Sequence, residues 1–194
     1  KESRALPRTY LTGLNFLLNE QPDKAIDAFI EAVKIDNQTV ELHFALGSLF
    51  RRRGETDRAI RMHQNLIDRD DLSQDQRLQA LSELGLDYLK AGLLDRAEAV
   101  FVQLRGSRLD EFALKNLLDI YQQEKDWRKA IDIAQALPGH ESALWEKEVA
   151  NFHCELAAAA IADSRFDEAR SNLERALETN RKSVRASILL GDLH

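Results

Sequence analysis

The apolar residues of this chain recur three and four positions apart in short segments, and polar turns separate one segment from the next. The stretch 40–70, VELHFALGSLFRRRGETDRAIRMHQNLIDRD, shows the pattern clearly. Leu46 and Phe50 mark the apolar face of one segment, and Ala59 marks that of the next, with Gly54 between the two. Stripes at this spacing indicate amphipathic helices, and a glycine between them indicates a turn. The stretch therefore predicts two helices joined by a tight turn.

The same pattern returns along the whole chain. A small residue precedes the aromatic position at Gly13, Gly47, Gly85 and Gly191, with Leu118 and Ala157 in the equivalent places. A second mark falls at Ala25, Ala59, Ala97, Ala130 and Ala169. These alanines are 34, 38, 33 and 39 residues apart, which is the period of the tetratricopeptide repeat with a few extra residues in two connections. The chain resembles a tetratricopeptide array, an all-α solenoid of helix-turn-helix repeats that forms a right-handed superhelix.

The repeats assign the whole chain, residues 1–194, to a single array. The expected repeats cover about 6–37, 40–70, 76–104, 110–137 and 143–179, and a half repeat covers 183–194. Pro7, Pro22 and Pro138 all fall where a helix can begin or has just ended, so no proline interrupts a helix. The pattern predicts about eleven α-helices, stacked as antiparallel pairs, and no sheet.

The small residues have a physical cause. Two helix axes approach to about 8 to 10 Å only where the side chains at the crossing are small. Glycine and alanine at the repeated marks therefore predict close helix crossings. Leu118 departs from this rule, and the alanine at Ala134 on the following helix is interpreted as opening the space that Leu118 fills.

Composition narrows the kinds of partner. The chain has 27 basic and 33 acidic residues and a formal net charge of −6, so it has no global positive field that would attract phosphates, and nucleic-acid binding is not expected. Its single cysteine, Cys154, cannot form a disulfide within the chain, and the cytoplasm is the simplest compartment. No run of about 18 apolar residues could span a bilayer, so a soluble array that binds proteins is expected.

The sequence does not indicate an enzyme. Its five histidines are scattered, one per segment: His43, His63, His140, His153 and His194. Catalysis needs titratable groups that converge on one pocket. His153 and Cys154 are adjacent, but adjacent helical residues point about 100° apart, and no second cysteine completes a metal site. The prediction is that the chain is not an enzyme and holds no catalytic group, metal or cofactor.

A binding surface is expected on the first helices, which in a tetratricopeptide array line the concave groove. The predicted partner-binding residues are Tyr10, Leu14, Phe44, Ser48, Arg51, Arg52, Arg53 and Leu86. The apolar groove of the first two repeats suits a hydrophobic helix or strand of a partner protein. The alternative is that the same side chains pack against further segments of a longer protein.

The run Arg51 to Arg53, with Arg58 and Arg61 nearby, is the densest positive cluster of this acidic chain. It is interpreted either as a solvated helix face or as a site for an acidic partner. A third reading is the anionic inner surface of a membrane, where each basic residue contributes about 1 kcal/mol.

Five runs narrow the resemblance within the tetratricopeptide class. They are Tyr10–Leu18, Leu46–Gln64, Ala91–Glu98, Asp126–Asp132 and Phe152–Ala157. RRRGE followed by DRAIRMHQ in the second run, and HCELA in the last, are not required by the fold. Together these runs resemble the lipopolysaccharide assembly protein B family over nearly the whole chain.

That resemblance implies an adaptor at the cytoplasmic side of the bacterial inner membrane. Members of the family carry a short N-terminal anchor and a C-terminal rubredoxin-like metal knuckle, and neither is in this chain. The family promotes degradation of the deacetylase LpxC by the membrane protease FtsH and so regulates lipid A biosynthesis. The implied partners are FtsH, LpxC and other lipopolysaccharide assembly factors, and self-association stays open. The alternative function is a tetratricopeptide module of an unrelated assembly or of a glycosyltransferase-associated protein.

Overall fold

The computed structural model describes residues 8–35, 39–139 and 143–193. Within these ranges the chain forms eleven α-helices and no strand, which confirms the predicted all-α tetratricopeptide fold. The helices are α1 Arg8–Leu18, α2 Pro22–Ile35, α3 Val40–Arg52, α4 Thr56–Ile67, α5 Gln74–Lys90, α6 Leu94–Gln103, α7 Asp110–Glu124, α8 Trp127–Ala136, α9 Ala143–Ala162, α10 Phe166–Thr179 and α11 Val184–Asp192. The right-handed superhelix stays a prediction.

The helices belong to two compact units, each with its own packed interior. Unit 1 extends to Leu104 and contains α1 to α6, and unit 2 begins at Arg105 and contains α7 to α11. Consecutive helices pack against each other within each unit, and α3 also contacts α5. The single array predicted for residues 1–194 is thus described as two units.

Each helix pair closes through a turn with one residue in the left-handed backbone conformation. These residues are Glu20, Gly54, Gly92, Lys125 and Ser164, with φ between 56° and 79°. In the second turn Gly54 N donates to Arg51 O at 3.0 Å, and Glu55 N donates to Phe50 O at 2.9 Å. This pair of bonds satisfies carbonyls that the helix end leaves open. Every such turn residue lies five positions before a repeated alanine, so the turns follow the same period.

The small residues do mark close helix crossings. A Cβ atom built on Gly13 would lie 2.6 Å from the Phe29 ring, and one built on Gly85 would lie 2.7 Å from the Phe101 ring. Real Cβ atoms essentially never approach other atoms this closely. Glycine is therefore required at these positions because the aromatic ring of the next helix occupies the space of a side chain.

In the fourth repeat the large side chain is on the first helix and the small one is on the second, at the same spacing as in the other repeats. Leu118 lies sixteen positions before Ala134, as Gly13 lies sixteen positions before Phe29. Both Leu118 and Ala134 are buried. The pair is consistent with a large residue on the first helix that compensates for a small one on the second.

Candidate functional site

The second repeat differs from its neighbours because a histidine takes the place of the buried phenylalanine. His63 lies sixteen positions after Gly47, and a Cβ built on Gly47 would come within 2.4 Å of the His63 ring. His63 is fully buried, as Phe29 and Phe101 are. An imidazole can fill the space of a phenyl ring, but its nitrogens need hydrogen-bond partners.

Asp87, on α5, supplies the partner for one of these nitrogens. The Nδ1 atom of His63 lies 2.5 Å from Oδ2 of Asp87, and both side chains are fully buried. The other carboxylate oxygen, Oδ1, accepts a hydrogen bond from Arg51 Nη1 at 2.8 Å. The second ring nitrogen of His63, Nε2, is buried with no hydrogen-bond partner in the described part of the chain. The network adds polar contacts to the apolar cluster of Val40, Leu66 and Ala80 that also joins α3 and α4 to α5.

Arg51 is held at both ends of its guanidinium group. Its Nη2 lies 2.6 Å from Oε2 of Glu83, and its Nη1 also donates to the Glu83 carbonyl at 3.2 Å. Burial opposes the charged form of Arg51, but the hydrogen bonds and charges of Glu83 and Asp87 outweigh it and raise the pKa of Arg51. Arg51 is therefore a fixed, internally paired cation.

The predicted basic cluster is divided by these contacts. Arg53 forms ion pairs with Asp23 at 3.2 Å and Glu55 at 3.0 Å, whereas Arg52 is exposed. Arg51 and Arg53 thus pair with carboxylates of this chain, and partner binding by the three arginines stays a prediction. Successive residues of a helix point about 100° apart, which is why neighbours in sequence reach different partners.

Three of the predicted binding residues, Arg51, Arg52 and Leu86, line the same cavity. A cavity of 460 Å³ between α3 and α5 is lined by Arg51, Arg52, Leu86, Leu89 and Lys90, and is called here the α3–α5 cavity. Leu86 and Leu89 give it an apolar side, and the three basic residues give it a positive one. Leu89 and Lys90 were missed from the sequence, although they follow Leu86 at the three- and four-residue spacing of one helical face.

The other predicted groove residues partly serve the interior of unit 1. The ring of Tyr10 lies 5.6 Å from that of Phe29, and Leu14 packs against the same apolar cluster. Phe44 packs against the cluster of Val40, Leu66 and Ala80. Ser48 is half-buried on α3. These contacts lie within unit 1, so the partner-binding prediction and its packing alternative both stay predictions.

Unit 2 holds the histidine and cysteine that stand side by side in the sequence. His153 is buried and its Nδ1 lies 3.3 Å from Oδ1 of Asn172, while burial lowers the pKa of His153. Burial also raises the pKa of the Cys154 thiol, against the effect of its hydrogen bond with Ser183. A thiol held protonated is a poor nucleophile. No group of three or more potential metal-binding side chains converges anywhere in the residues that the structure describes.

His153 also lines a cavity of 390 Å³ in unit 2. Arg128, Glu168, Asn172 and Arg175 contribute to it, and Arg128 pairs with Glu168 at 2.8 Å. Among the described helices, none is long and apolar enough to cross a membrane.

Comparison with known proteins gives the same fold. Models of the tetratricopeptide repeat match residues 42–75 and 154–194. The C-terminal part of a tetratricopeptide protein from Cytophaga hutchinsonii has a TM-score of 0.62 at 19% identity, over 94% of this chain and 72% of that one. MamA has a TM-score of 0.57 at 20% identity, over 89% of this chain and 96% of that one. Identities this low support the fold alone.

Sequence relatives narrow the family further. Lipopolysaccharide assembly protein B of Escherichia coli K12 is 45% identical over 191 residues, which is 98% of this chain and 49% of that protein. The protein of the same name from Haemophilus influenzae is 39% identical over 200 residues, 98% of this chain and 50% of that protein. The chain thus spans about half the length of these curated relatives. It is a tetratricopeptide-repeat protein, and its resemblance to lipopolysaccharide assembly protein B is confirmed over 98% of its length.

Proposed function

We propose that this chain is a non-enzymatic adaptor that binds protein partners in the regulation of lipopolysaccharide synthesis. By resemblance the partners are the protease FtsH and its substrate LpxC, at the cytoplasmic side of the inner membrane. The observation that carries the proposal is the α3–α5 cavity, where two of its three cations, Arg52 and Lys90, are exposed beside Leu86 and Leu89. The sequence similarity to lipopolysaccharide assembly protein B supports the biological setting.

The chemistry of the cavity suits a peptide segment that carries a carboxylate next to an apolar side chain. Apolar contact at the centre of an interface supplies most of the binding free energy, and charges at its edge guide approach and orientation. Arg51 is already paired, so it shapes the cavity wall, whereas Arg52 and Lys90 are available to a partner's carboxylate.

Two substitutions separate these contributions. Arg52→Glu should slow association of the chain with purified LpxC and with the cytoplasmic domain of FtsH, and should change the salt dependence of the rate, because an exposed edge charge acts on approach. Leu86→Ala should mainly speed dissociation, by about tenfold or more if Leu86 is a central contact. Surface plasmon resonance at two salt concentrations measures both rates.

Arg170→Glu is the matched control, since Arg170 is an exposed helical arginine of unit 2 and the charge change is the same. Phe44→Ala is a poor test because Phe44 packs on Val40, Leu66 and Ala80 and its loss would lower stability as well. Helicity and melting temperature must first match the parent. If folded Arg52→Glu and Leu86→Ala variants bind both partners with the parent's rates, the α3–α5 cavity is not the recognition surface.

A further inference from the structure

A second cavity opens on another face of unit 1. It measures 340 Å³ and is bounded by α2, α3 and α4, and it is called here the α2–α4 cavity. Its walls are Ile30, Val33, Leu46, Phe50 and Met62, with Arg58 and Arg61 at the edge. Among the described residues, no carboxylate lines this cavity. It is an apolar recess with two arginines at its edge, in a chain whose net charge is −6.

The two arginines at the edge of the cavity differ in their contacts with the rest of the chain. Arg58 lies over the Phe50 ring, with its guanidinium carbon 4.0 Å from the ring centre, and it pairs with Glu55 at 2.7 Å. Arg61 is exposed and forms no ion pair with any residue in the described ranges. A guanidinium offers a fork of donors that fits a carboxylate at two points. Arg61 is therefore the group available to an anionic partner.

The α2–α4 cavity is separate from the α3–α5 cavity. Phe50 faces the first and Arg52 faces the second, and two positions along a helix correspond to a rotation of about 160° by the shorter way. The two cavities therefore use opposite faces of α3. A helix bound in the α2–α4 cavity therefore does not contact Arg52 in the α3–α5 cavity.

The residues that line the α2–α4 cavity lie three and four positions apart on their helices, and this spacing favours a helix as the occupant. Ile30 and Val33 on α2 lie three positions apart, and Arg58, Arg61 and Met62 on α4 lie three and four apart. Rows of side chains at this spacing form the ridges between which another helix packs. An amphipathic helix presents bulky apolar anchors to such a groove.

We propose that the α2–α4 cavity docks an amphipathic helix of a partner protein, with a large apolar anchor and an aspartate or glutamate within one turn of it. The anchor contacts Ile30, Val33 and Met62, the half-buried apolar residues of the cavity, and the carboxylate pairs with Arg61. This is a second docking surface, beyond the α3–α5 cavity and independent of its occupant.

A peptide-display selection tests the proposal directly. The full chain is the bait for a library of helical peptides in which the anchor and its flanking positions are randomised. Peptides enriched on the parent should carry a bulky apolar residue with Asp or Glu within four positions. Synthetic versions should bind the Arg61→Glu variant about tenfold more weakly, or worse. Selection on that variant should enrich Lys or Arg at the same positions.

Matched variants keep the result interpretable. Arg170→Glu and Arg52→Glu should leave peptide affinity unchanged, because neither residue lines this cavity. Met62→Asp should abolish peptide binding, and its melting temperature shows whether this variant is folded. If Met62→Asp does not fold, Arg61→Glu tests the proposal, because Arg61 is exposed and its replacement should not disturb the fold. Selected peptides with no acidic preference, or equal affinity for parent and Arg61→Glu, would overturn the proposal. The proposal would also be overturned if the selection enriched no peptide while the chain bound phosphatidylglycerol vesicles through Arg61. The cavity would then be a lipid site.

Discussion

At the scale of single residues, the spacing between a glycine and the ring sixteen positions later decides how closely two helices approach. Gly13, Gly47 and Gly85 each leave less than 3 Å between an added Cβ and the opposing ring. In the second repeat that ring is His63, which is also held by Asp87 and is not free to rotate away. The crossing at Gly47 is therefore the least tolerant of added volume.

We expect Gly47→Ala to lower the free energy of unfolding by about 1 to 3 kcal/mol, because the new methyl group forces apart a well-packed crossing. Gly191→Ala is the comparison. An added Cβ at Gly191 meets nothing within 4 Å, and alanine favours a helix over glycine, so this change should be neutral or stabilising by up to about 1 kcal/mol. Urea denaturation measures both. Equal stability of the Gly47→Ala variant and the parent would show that the crossing is looser than described.

At the scale of the element, the five turns within the repeats share one geometry but not one residue type. Gly54 and Gly92 occupy the left-handed position in two turns, whereas Glu20, Lys125 and Ser164 occupy it in the others. A side chain there brings Cβ close to the backbone and costs roughly 1 to 2 kcal/mol, a penalty that glycine avoids. The turns are therefore not equally stable.

Replacing the side chain should relieve this strain. Lys125→Gly and Ser164→Gly should each raise the free energy of unfolding by about 0.5 to 1 kcal/mol, since the gain at the left-handed position exceeds the added freedom of glycine in the unfolded chain. Gly92→Ala should do the reverse, although nothing lies within 4 Å of its added Cβ. Thermal melts of the three variants are the measurement. Destabilisation by both glycine substitutions would mean that the side chains of Lys125 and Ser164 contribute more than the strain costs.

The helices and their order could be predicted from the sequence, because the periodicity and the small residues that indicate them are local features. The hydrogen-bond partners of Arg51 could not be predicted. Asp87 lies 36 positions away, so nothing near Arg51 in the sequence reveals that the pair is internal. A run of three arginines suggests one surface patch, yet the helix turns successive side chains about 100° apart. His63 could have been found as a buried residue, since it occupies the register of Phe29 and Phe101, but its hydrogen bond to Asp87 could not.

At the scale of the whole molecule, each of the two units has its own interior. Phe29, Leu46 and Phe50 belong to a buried cluster of unit 1, and Cys154 and Leu173 belong to one of unit 2. In a repeat protein stability comes from each repeat and its contacts with its neighbours rather than from one central core. A cut between Leu104 and Arg105 leaves the helix pairs of both units intact.

We expect fragments 1–104 and 105–194 each to fold with high helicity and a cooperative melt. A cut after residue 90 is the control, because it removes α6 and with it the ring of Phe101 that packs on Gly85. Fragment 1–90 should melt at a lower temperature than 1–104. Circular dichroism with thermal denaturation measures these differences. Loss of folding in either 1–104 or 105–194 would show that the units depend on each other.

The buried contact between His63 and Asp87 also bears on how such arrays are lengthened or shuffled. A junction between repeats whose facing side chains are apolar accepts any neighbour that presents a similar surface. A repeat with a buried carboxylate does not, because Asp87 needs both the imidazole of His63 and the guanidinium of Arg51 from the preceding repeat. The second and third repeats therefore form an inseparable, directional pair. Duplication or exchange of one without the other would leave a buried charge unmatched, so recombination is confined to the remaining junctions.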